Sequence, residues 1–500
     1  MNETTLSSQT HDFFLLYVLL LPIIFLIFRK IKHSTSKDPP LPPGPTPWPI
    51  IGNIHNVGTK PHRSLAKLAQ IHGPLISLRV GSQMMIVASS PAAAKEILKT
   101  NDRILSARHV SHSIHAKSPE LNALSVVWAS ECTEKWKYLR TICRTEIFSS
   151  KVMESQAHLR EEKVKELIEF MEANEGKQVK IVELAFTTII NVISGICFSK
   201  DFININDEGE VGGRKDHIRK MLEVGGLPNL ADYFPILSGF DIQGLHRKFL
   251  DYVTTLFVSW DILIKERRER GFASTPNDLL DVLLASGFTD DGINHLVFDL
   301  FVAGSDTTSG TVEWLMTELI KDQELMNNVR EELAREVKTE FVRDADLSRL
   351  TYLNACVKET LRLHPPAPIV PHRALEECQV MNYTIPKDSQ VLVNVWAVGR
   401  DSEAWEDPLV FKPSRFVDSN VDFRGNDFEL VPFSAGRRMC PGIPLAAKLI
   451  PLIIASLVHS FDWDLPNNLH TMDLDMKEKF GITLLKEQPL MLIPKRRNIM

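Results

Sequence analysis

The chain has 500 residues, of which 44% are hydrophobic and 24% are charged, so it can bury a large core and does not have the composition of a disordered protein. Its 57 basic and 63 acidic side chains give a net charge of -6, which provides no general positive field to attract nucleic acid. The six cysteines are widely spaced, which argues against a disulfide framework and a structural zinc site.

The N-terminal segment, residues 1–30, is predicted to be a luminal tip and a transmembrane anchor. Residues 13–28 carry no charge and span about 24 Å as a helix, somewhat less than a hydrocarbon core of about 30 Å. Asp12 precedes this run while Arg29 and Lys30 follow it, whereas a cleaved signal peptide, the alternative, has the opposite charge order. The positive-inside rule then predicts that the rest of the chain is cytosolic.

A basic and proline-rich hinge, residues 31–48, follows the anchor. Residues 39–45 read PPLPPGP, and proline at this density removes backbone donors and favours an extended chain. We interpret the segment as a stiff connection that holds the domain formed by residues 49–500 in one orientation relative to the membrane.

Helical periodicity dominates the domain, with few and short strand patterns. The predicted helices cover residues 153–171, 183–198, 247–270, 292–321, 323–337 and 350–363. The predicted strands cover residues 76–80 with 85–88, 379–385, 390–395, and a tail pair at 483–485 and 490–493. Because helices do not alternate with strands and no phosphate-binding glycine loop is present, we predict a single, mainly α domain with small β-sheets.

Residues 432–442, PFSAGRRMCPG, form the most informative segment. Cationic neighbours and the amides of a following helix stabilise a thiolate, which makes Cys440 a candidate soft metal ligand. A lone cysteine is more commonly a small buried hydrophobic residue, but the complete F-x-x-G-x-R-x-C-x-G pattern is highly specific. The segment resembles the haem-binding loop of the cytochrome P450 family.

This resemblance extends over nearly the whole chain and implies the cytochrome P450 fold. It implies that Cys440 is the proximal ligand of the iron of haem b, that Phe433 packs beside the ligand loop and that Arg438 pairs with a haem propionate. It further implies a haem-thiolate monooxygenase that uses dioxygen and receives electrons from NADPH through a separate cytochrome P450 reductase. The predicted location is the endoplasmic reticulum membrane, with a single membrane pass.

Residues 303–308, AGSDTT, lie within the predicted helix 292–321. Glycine, aspartate and threonine are poor helix formers, so this mid-helix cluster needs a reason beyond packing. It matches the family pattern [AG]-G-x-[DE]-T-[TS], which implies that the small residues open a groove for dioxygen. The resemblance assigns Asp306 and Thr307 as catalytic residues that relay protons.

Two further motifs are weak alone and fit the same family. Trp136 and Arg140 are spaced i,i+4, where an ordinary cation–π pair is the simplest interpretation; the resemblance makes both cofactor-binding residues that contact propionates. A further propionate contact is implied in the segment PHR at residues 371–373, where we predict Arg373, with His372 as the alternative donor.

A third motif combines Glu359 and Arg362, spaced i,i+3, with Arg415 in the segment FKPSRF. By itself the first pair would be an ordinary solvated ion pair. The resemblance implies that the three residues lock the core around the haem, which is a structural role.

Several segments narrow the resemblance to plant alkaloid-oxidising members of the family, including residues 102–108, 132–150, 382–390 and 422–433. The chain departs from the N-methylcoclaurine hydroxylase pattern at Asp306, where a glutamate is usual, and by one missing residue before Pro371. On these grounds we predict hydroxylation or rearrangement of littorine in tropane alkaloid biosynthesis. The alternatives are a benzylisoquinoline oxidase, of the N-methylcoclaurine 3′-hydroxylase or phenol-coupling type, and a reductase-independent haem-thiolate isomerase.

The loop that contains His109, His112 and His115 is predicted to face the substrate, and its spacing implies no metal site. The sequence identifies no acid as the partner of a substrate ammonium. Glu120 lies in the same loop, but we interpret it as a solvated surface charge.

Overall fold

The computed structural model describes residues 39–205, 213–271 and 278–497, so the predicted anchor lies outside the described residues. Helices dominate, which confirms the predicted fold class. Those of seven residues or more are Pro61–His72 (α1), Glu134–Ile142 (α2), Ala157–Ala173 (α3), Ile181–Phe198 (α4), Arg214–Gly225 (α5), Leu245–Arg270 (α6), Leu279–Ala285 (α7), Asp290–Lys321 (α8), Gln323–Glu336 (α9), Thr351–Leu363 (α10) and Ile443–Ser460 (α11).

The centre of the protein is formed by α8 and α4, which lie against each other and are buried over most of their length. The first turn of α8 is capped by Thr289, whose side chain accepts a hydrogen bond from the N–H of Gly292. A side chain at Gly304 would place its Cβ 2.7 Å from Cδ1 of Ile193 on α4. Glycine at this position therefore allows the two helices to pack closely.

Two core helices of the described chain, α4 and α11, are long and apolar enough to cross a membrane. Protein surrounds both of them, since 89% of the apolar window in α4 and 78% of that in α11 is buried. Their composition is explained by their position in the hydrophobic core.

The described strands are Leu75–Val80 (β1), Gln83–Ala88 (β2), Val179–Lys180 (β3), Val370–Arg373 (β4), Cys378–Val380 (β5), Tyr383–Ile385 (β6), Gln390–Val393 (β7), Phe461–Asp464 (β8), Glu478–Lys479 (β9), Leu485–Lys486 (β10) and Met491–Arg496 (β11). The largest sheet has four strands in the order β1-β2-β7-β4. In it β7 runs parallel to β2 and antiparallel to β4, so strands distant in sequence lie side by side in one sheet.

The two predicted tail strands do not pair with each other, which corrects the sequence analysis. Instead β10 pairs with β9, whereas β11 pairs with β3 and β8. The predicted strand at 379–385 is two strands, because Met381 and Asn382 adopt positive φ angles of 50° and 65° and form a turn. Alternation of apolar residues identifies a strand but does not identify its partner.

The C-terminal half of the predicted hinge packs against the domain. The hydroxyl of Ser77 donates to the carbonyl oxygen of Pro42 at 2.6 Å, and the hydroxyl of Thr384 donates to that of Pro39 at 2.7 Å. A Cβ at Gly44 would lie 1.9 Å from the carbonyl oxygen of Ser77, so this close approach requires glycine. The chain is therefore attached to β1 and β6 from residue 39 onward.

Candidate active site

An internal cavity is lined by α8, by α4 and by the loop that precedes α11. Its walls are mostly apolar, and their side-chain polar groups come from one aspartate, two threonines and two cysteines. Ala303 is exposed and Gly304 and Thr307 are half-buried, although most of α8 is buried, because this face of the helix borders the cavity. Thr307 and Cys440 therefore border the same space.

The Cys440 loop owes its shape to a glycine and a backbone hydrogen bond. Gly436 has φ +66°, and a Cβ there would lie 2.0 Å from the carbonyl oxygen of Leu98, so no other residue fits. The N–H of Cys440 donates to the carbonyl oxygen of Phe433 at 2.9 Å. Phe433 also borders the cavity, and its ring packs at 5.2 Å from that of Phe423.

Opposing influences act on the Cys440 thiol. Desolvation by the surrounding protein raises its pKa, and it outweighs the N–H groups of Gly442 and Ile443 and the cations Arg140 and Arg108, which lower the pKa. The helix-start amides predicted from the sequence are therefore present, whereas the cations named here come from residues 108 and 140 and not from the two arginines of the loop. Because burial dominates, a thiolate at Cys440 needs a further positive charge, which a bound metal ion supplies.

The structure separates the two predicted catalytic residues. Thr307 borders the cavity, and its hydroxyl donates to the carbonyl oxygen of Ala303 at 2.6 Å. Asp306 is absent from the cavity wall and is 6% exposed, near Arg219 and Glu183. Consecutive residues of a helix point about 100° apart, so Asp306 and Thr307 lie on different faces of α8.

Trp136 lies between two arginines, as the sequence motifs led us to expect. The guanidinium carbon of Arg438 is 4.8 Å from the centre of its ring, and that of Arg140 is 5.7 Å away. The indole N–H donates to the carbonyl oxygen of Val126 at 2.9 Å, and Arg140 donates to the carbonyl of Met439. Trp136 therefore positions the two guanidinium groups and the neighbouring loop.

Arg438 retains an unused donor. Its Nε donates to the carbonyl oxygen of Ser106 and its Nη2 to that of Ala129, both at 2.8 Å. Its Nη1 is buried and has no hydrogen-bond partner among the described residues. A buried donor without a partner is costly, so this atom marks a place where an acceptor from outside the protein fits.

Arg108 and His372 each also have a buried nitrogen without a hydrogen-bond partner in the described structure. Both side chains interact electrostatically with Arg438. Arg108 donates through Nη1 to Val127, while its buried Nε has no partner in the described part of the chain. Nδ1 of His372 bonds to the carbonyl oxygen of Leu105 at 2.8 Å, while Nε2 has no partner there either. Burial and the two arginines lower the pKa of His372 to about 3, so its ring is neutral.

Arg373 lies away from Arg108 and Arg438, whereas His372, the alternative considered from the sequence, lies beside them. Nη1 of Arg373 is 2.7 Å from Asp388, and Nη2 is 3.4 Å from Glu131. Side chains alternate between the two faces of a strand; on β4, His372 is therefore buried while Arg373 faces these surface carboxylates. Sequence reasoning could not choose between them because the register of β4 was unknown.

A haem group fits this set of residues. Two buried donors without partners in the described chain, Nε of Arg108 and Nη1 of Arg438, form a positively charged edge that suits the carboxylates of a porphyrin. In the neutral ring of His372 the proton is on Nδ1, which donates to the carbonyl oxygen of Leu105, so Nε2 donates to a carboxylate only when the ring takes up a second proton, which a bound carboxylate favours. Cys440 borders the adjacent cavity and provides a soft ligand for iron.

A buried ion cluster lies at the C-terminal end of α10. Glu359 accepts from Nε and Nη2 of Arg362 at 2.7 and 2.8 Å and from Nε of Arg415 at 3.1 Å. Both Glu359 and Arg362 are buried, so this pair is not the ordinary surface pair that its spacing alone suggests. Arg362 also donates to three carbonyl groups of residues 399–410, which makes the cluster structural.

Two residues at the site had no predicted role, the half-buried Arg108 and the buried Asp299. Asp299 borders the cavity and precedes Ala303 and Thr307 by four and eight residues. That spacing places the three residues on one face of a helix. It was the feature of the sequence from which a position of Asp299 at the cavity could have been predicted. Arg108 ends the segment 102–108 that carried the family resemblance, but nothing local indicates which way it points.

The sequence matches the cytochrome P450 family profile over residues 42–493. The chain belongs to the cytochrome P450 family. Relatives include a probable (S)-N-methylcoclaurine 3′-hydroxylase isozyme of Coptis japonica, which is 49% identical over 95% of this chain and 97% of its own length. Corytuberine synthase of Coptis japonica is 45% identical over 96% of this chain and 98% of its own length. Geraniol 8-hydroxylase of Swertia mussotii is 42% identical over 93% of this chain and 95% of its own length.

This cytochrome P450 is therefore a monooxygenase that contains haem b, takes electrons from NADPH through cytochrome P450 reductase, and acts on a small molecule with dioxygen. Plant members of the family are typically anchored in the endoplasmic reticulum membrane. The relatives named above favour the benzylisoquinoline alternative, and they give no support to the prediction of littorine.

Proposed function

We propose that this cytochrome P450 oxidises an amine-containing benzylisoquinoline alkaloid similar to N-methylcoclaurine. The relative that is 49% identical over 95% of the chain carries this proposal, because it is a probable (S)-N-methylcoclaurine 3′-hydroxylase. The mostly apolar cavity suits the aromatic rings of such a molecule, and its one aspartate suits an amine.

We infer that the haem is held by Cys440 and by propionate contacts from Arg108, His372 and Arg438. Trp136 and Arg140 support this edge by stacking, and Phe433 packs beside the ligand loop. The bound haem supplies the oxidising chemistry of the site. The protein supplies a thiolate, an apolar wall that excludes water, and neutralisation of the propionates.

We propose that Thr307 is the catalytic residue that holds a proton at the cavity, on its hydroxyl. Asp306 would be a proton reserve behind it, because burial raises the pKa of its carboxyl group. Since the two side chains lie on different faces of α8, transfer from Asp306 to Thr307 needs a bridging water or a rotation of the Asp306 side chain.

The haem assignment is tested by Cys440→Ser, with Cys378→Ser as the matched control. Cys378 is half-buried on β5, outside the cavity wall. We expect Cys440→Ser to lose the carbon monoxide difference spectrum of thiolate-ligated haem together with product formation, while the control keeps both. Full activity in Cys440→Ser would falsify the assignment.

The substrate assignment is tested by binding spectra of the holoenzyme in microsomes. N-methylcoclaurine and littorine are titrated side by side, followed by product analysis with NADPH and reductase. A spin-state change and NADPH-dependent product with N-methylcoclaurine support the proposal, whereas a response to littorine alone rejects it.

We also propose that residues 1–30 anchor the protein in the membrane with the N-terminus in the lumen and that the hinge at 31–48 leads to a cytosolic domain. The charge order around residues 13–28 supports this orientation.

A further inference from the structure

Asp299 is a carboxylate in an otherwise mostly apolar cavity. It lies on α8, and of the described residues that line the cavity it is the one with a carboxylate side chain. It is 3% exposed, whereas Glu120, the acid considered from the sequence, is exposed on its loop. A buried charge in such a place needs a compensating partner.

The partners that Asp299 has are neutral. Its Oδ2 accepts from the N–H of Val126 at 2.5 Å and of Val127 at 3.2 Å, and from the hydroxyl of Ser125 at 2.9 Å. Its Oδ1 accepts from the same hydroxyl at 2.7 Å and has no second donor in the described chain. A carboxylate oxygen accepts about two hydrogen bonds, so Oδ1 has capacity for one more donor.

No cation forms an ion pair with Asp299 within the described residues. Arg108 is the cation that acts on it from a distance, and that guanidinium is directed to Val127 and to the proposed haem edge. Burial dominates and raises the pKa of Asp299 to about 7. The ionised carboxylate is therefore a destabilised charge that a positively charged ligand would stabilise.

We propose that Asp299 binds the protonated amine of the substrate through Oδ1. This inference rests on the proposed function, since it requires an amine-containing substrate. A purely structural role, in which Asp299 only holds residues 125–127 against α8, is the competing explanation.

The position of Asp299 also restricts which atom of the substrate reacts. Along α8, at about 1.5 Å per residue, Asp299 precedes Ala303 by about 6 Å and Thr307 by about 12 Å. An amine held at Asp299 is thus kept about two helical turns from Thr307, and a carbon several bonds away from the nitrogen lies nearer the part of the cavity that Thr307 and Cys440 border. We expect oxidation of a remote carbon rather than removal of the N-methyl group.

The test compares Asp299→Asn with Ser125→Ala in the full-length holoenzyme. Asparagine keeps an oxygen acceptor for the N–H groups of residues 126 and 127 but removes the charge. Alanine at position 125 removes one bond that holds the loop and leaves the charge in place. The carbon monoxide difference spectrum verifies that each variant contains folded haem protein.

The probes are N,N-dimethylphenethylamine, which is protonated, and isopentylbenzene, its neutral carbon analogue, with binding measured by equilibrium dialysis. We expect wild type and Ser125→Ala to prefer the amine over the hydrocarbon. In Asp299→Asn this preference falls by about tenfold or more, the loss expected for one hydrogen bond to a charged group.

The proposal is overturned if wild type shows no preference for the amine, or if Asp299→Asn retains it. Equal weakening of both probes in both variants shows that Asp299 only holds the loop. Failure of wild type to bind N-methylcoclaurine would reject the proposed substrate class instead, because the preference between the two small probes is measured independently of that alkaloid.

Discussion

At the scale of single residues, β4 gives two adjacent side chains opposite environments. His372 is buried beside Arg108 and Arg438, and Arg373 forms ion pairs at the surface. We expect His372→Ala to weaken haem retention by about tenfold, because a propionate next to Nε2 would raise the pKa of the ring and accept a hydrogen bond from the protonated Nε2. Arg373→Ala should retain haem as wild type does, since a surface pair contributes little. The ratio of haem to protein during dilution measures both effects.

The folded state of the two variants is compared by circular dichroism before the haem measurement. Loss of haem in Arg373→Ala with full retention in His372→Ala would contradict this assignment and restore the donor first predicted from the sequence.

At the scale of secondary-structure elements, a buried acid couples α8 to the C-terminal strands. Glu313 is 1% exposed, and its carboxylate accepts from the N–H of Leu490 at 2.8 Å, immediately before β11. Burial raises its pKa to about 7 from an ordinary value of 4.5. The folded protein keeps this proton to a higher pH than the unfolded chain does, so the group destabilises the fold progressively as the pH rises from 4.5 to about 7, and the cost stays constant above that.

We therefore expect Glu313→Gln to be more stable than wild type at pH 8, by about 1–3 kcal/mol, and similar to it at pH 5. Glutamine keeps an oxygen for the Leu490 N–H and carries no charge at either pH. Thermal unfolding of the holoenzyme followed by circular dichroism provides the comparison. The control is Glu331→Gln, on the exposed side of α9, which should change the stability equally at the two pH values. If Glu313→Gln gained the same stability at pH 5 and pH 8, the raised pKa of Glu313 would not be the cause.

At the scale of the whole molecule, the proposed anchor determines on which side of the membrane the domain lies. In microsomes we expect the full-length protein to resist extraction at alkaline pH and its domain to be digested by added protease without detergent. Asn382, in the turn between β5 and β6, belongs to a glycosylation sequon that a cytosolic domain leaves unmodified. Asn382→Gln should therefore leave the electrophoretic mobility unchanged.

Asn2 carries the other sequon and is the matched control on the predicted luminal side. Release of the full-length protein at alkaline pH would contradict the anchor. A mobility shift caused by Asn382→Gln would place the domain in the lumen and reverse the topology.

The sequence by itself determined the features that local periodicity and contiguous motifs encode. The bounds of α8 were predicted within two residues, because its helical periodicity lies in one stretch of chain. The loop around Cys440 was recognisable for the same reason, since glycine, arginine and cysteine occur there at short and specific intervals.

Only the tertiary structure decided which neighbours of those motifs reach the cavity. Thr307 rather than Asp306 borders it, and His372 rather than Arg373 lies beside Arg108 and Arg438, because these choices depend on helix rotation and strand register. Asp299 meets the N–H of Val126 across 173 residues of sequence. Contacts between residues so far apart in the sequence arise from packing of the whole chain, and no local sequence pattern predicts them.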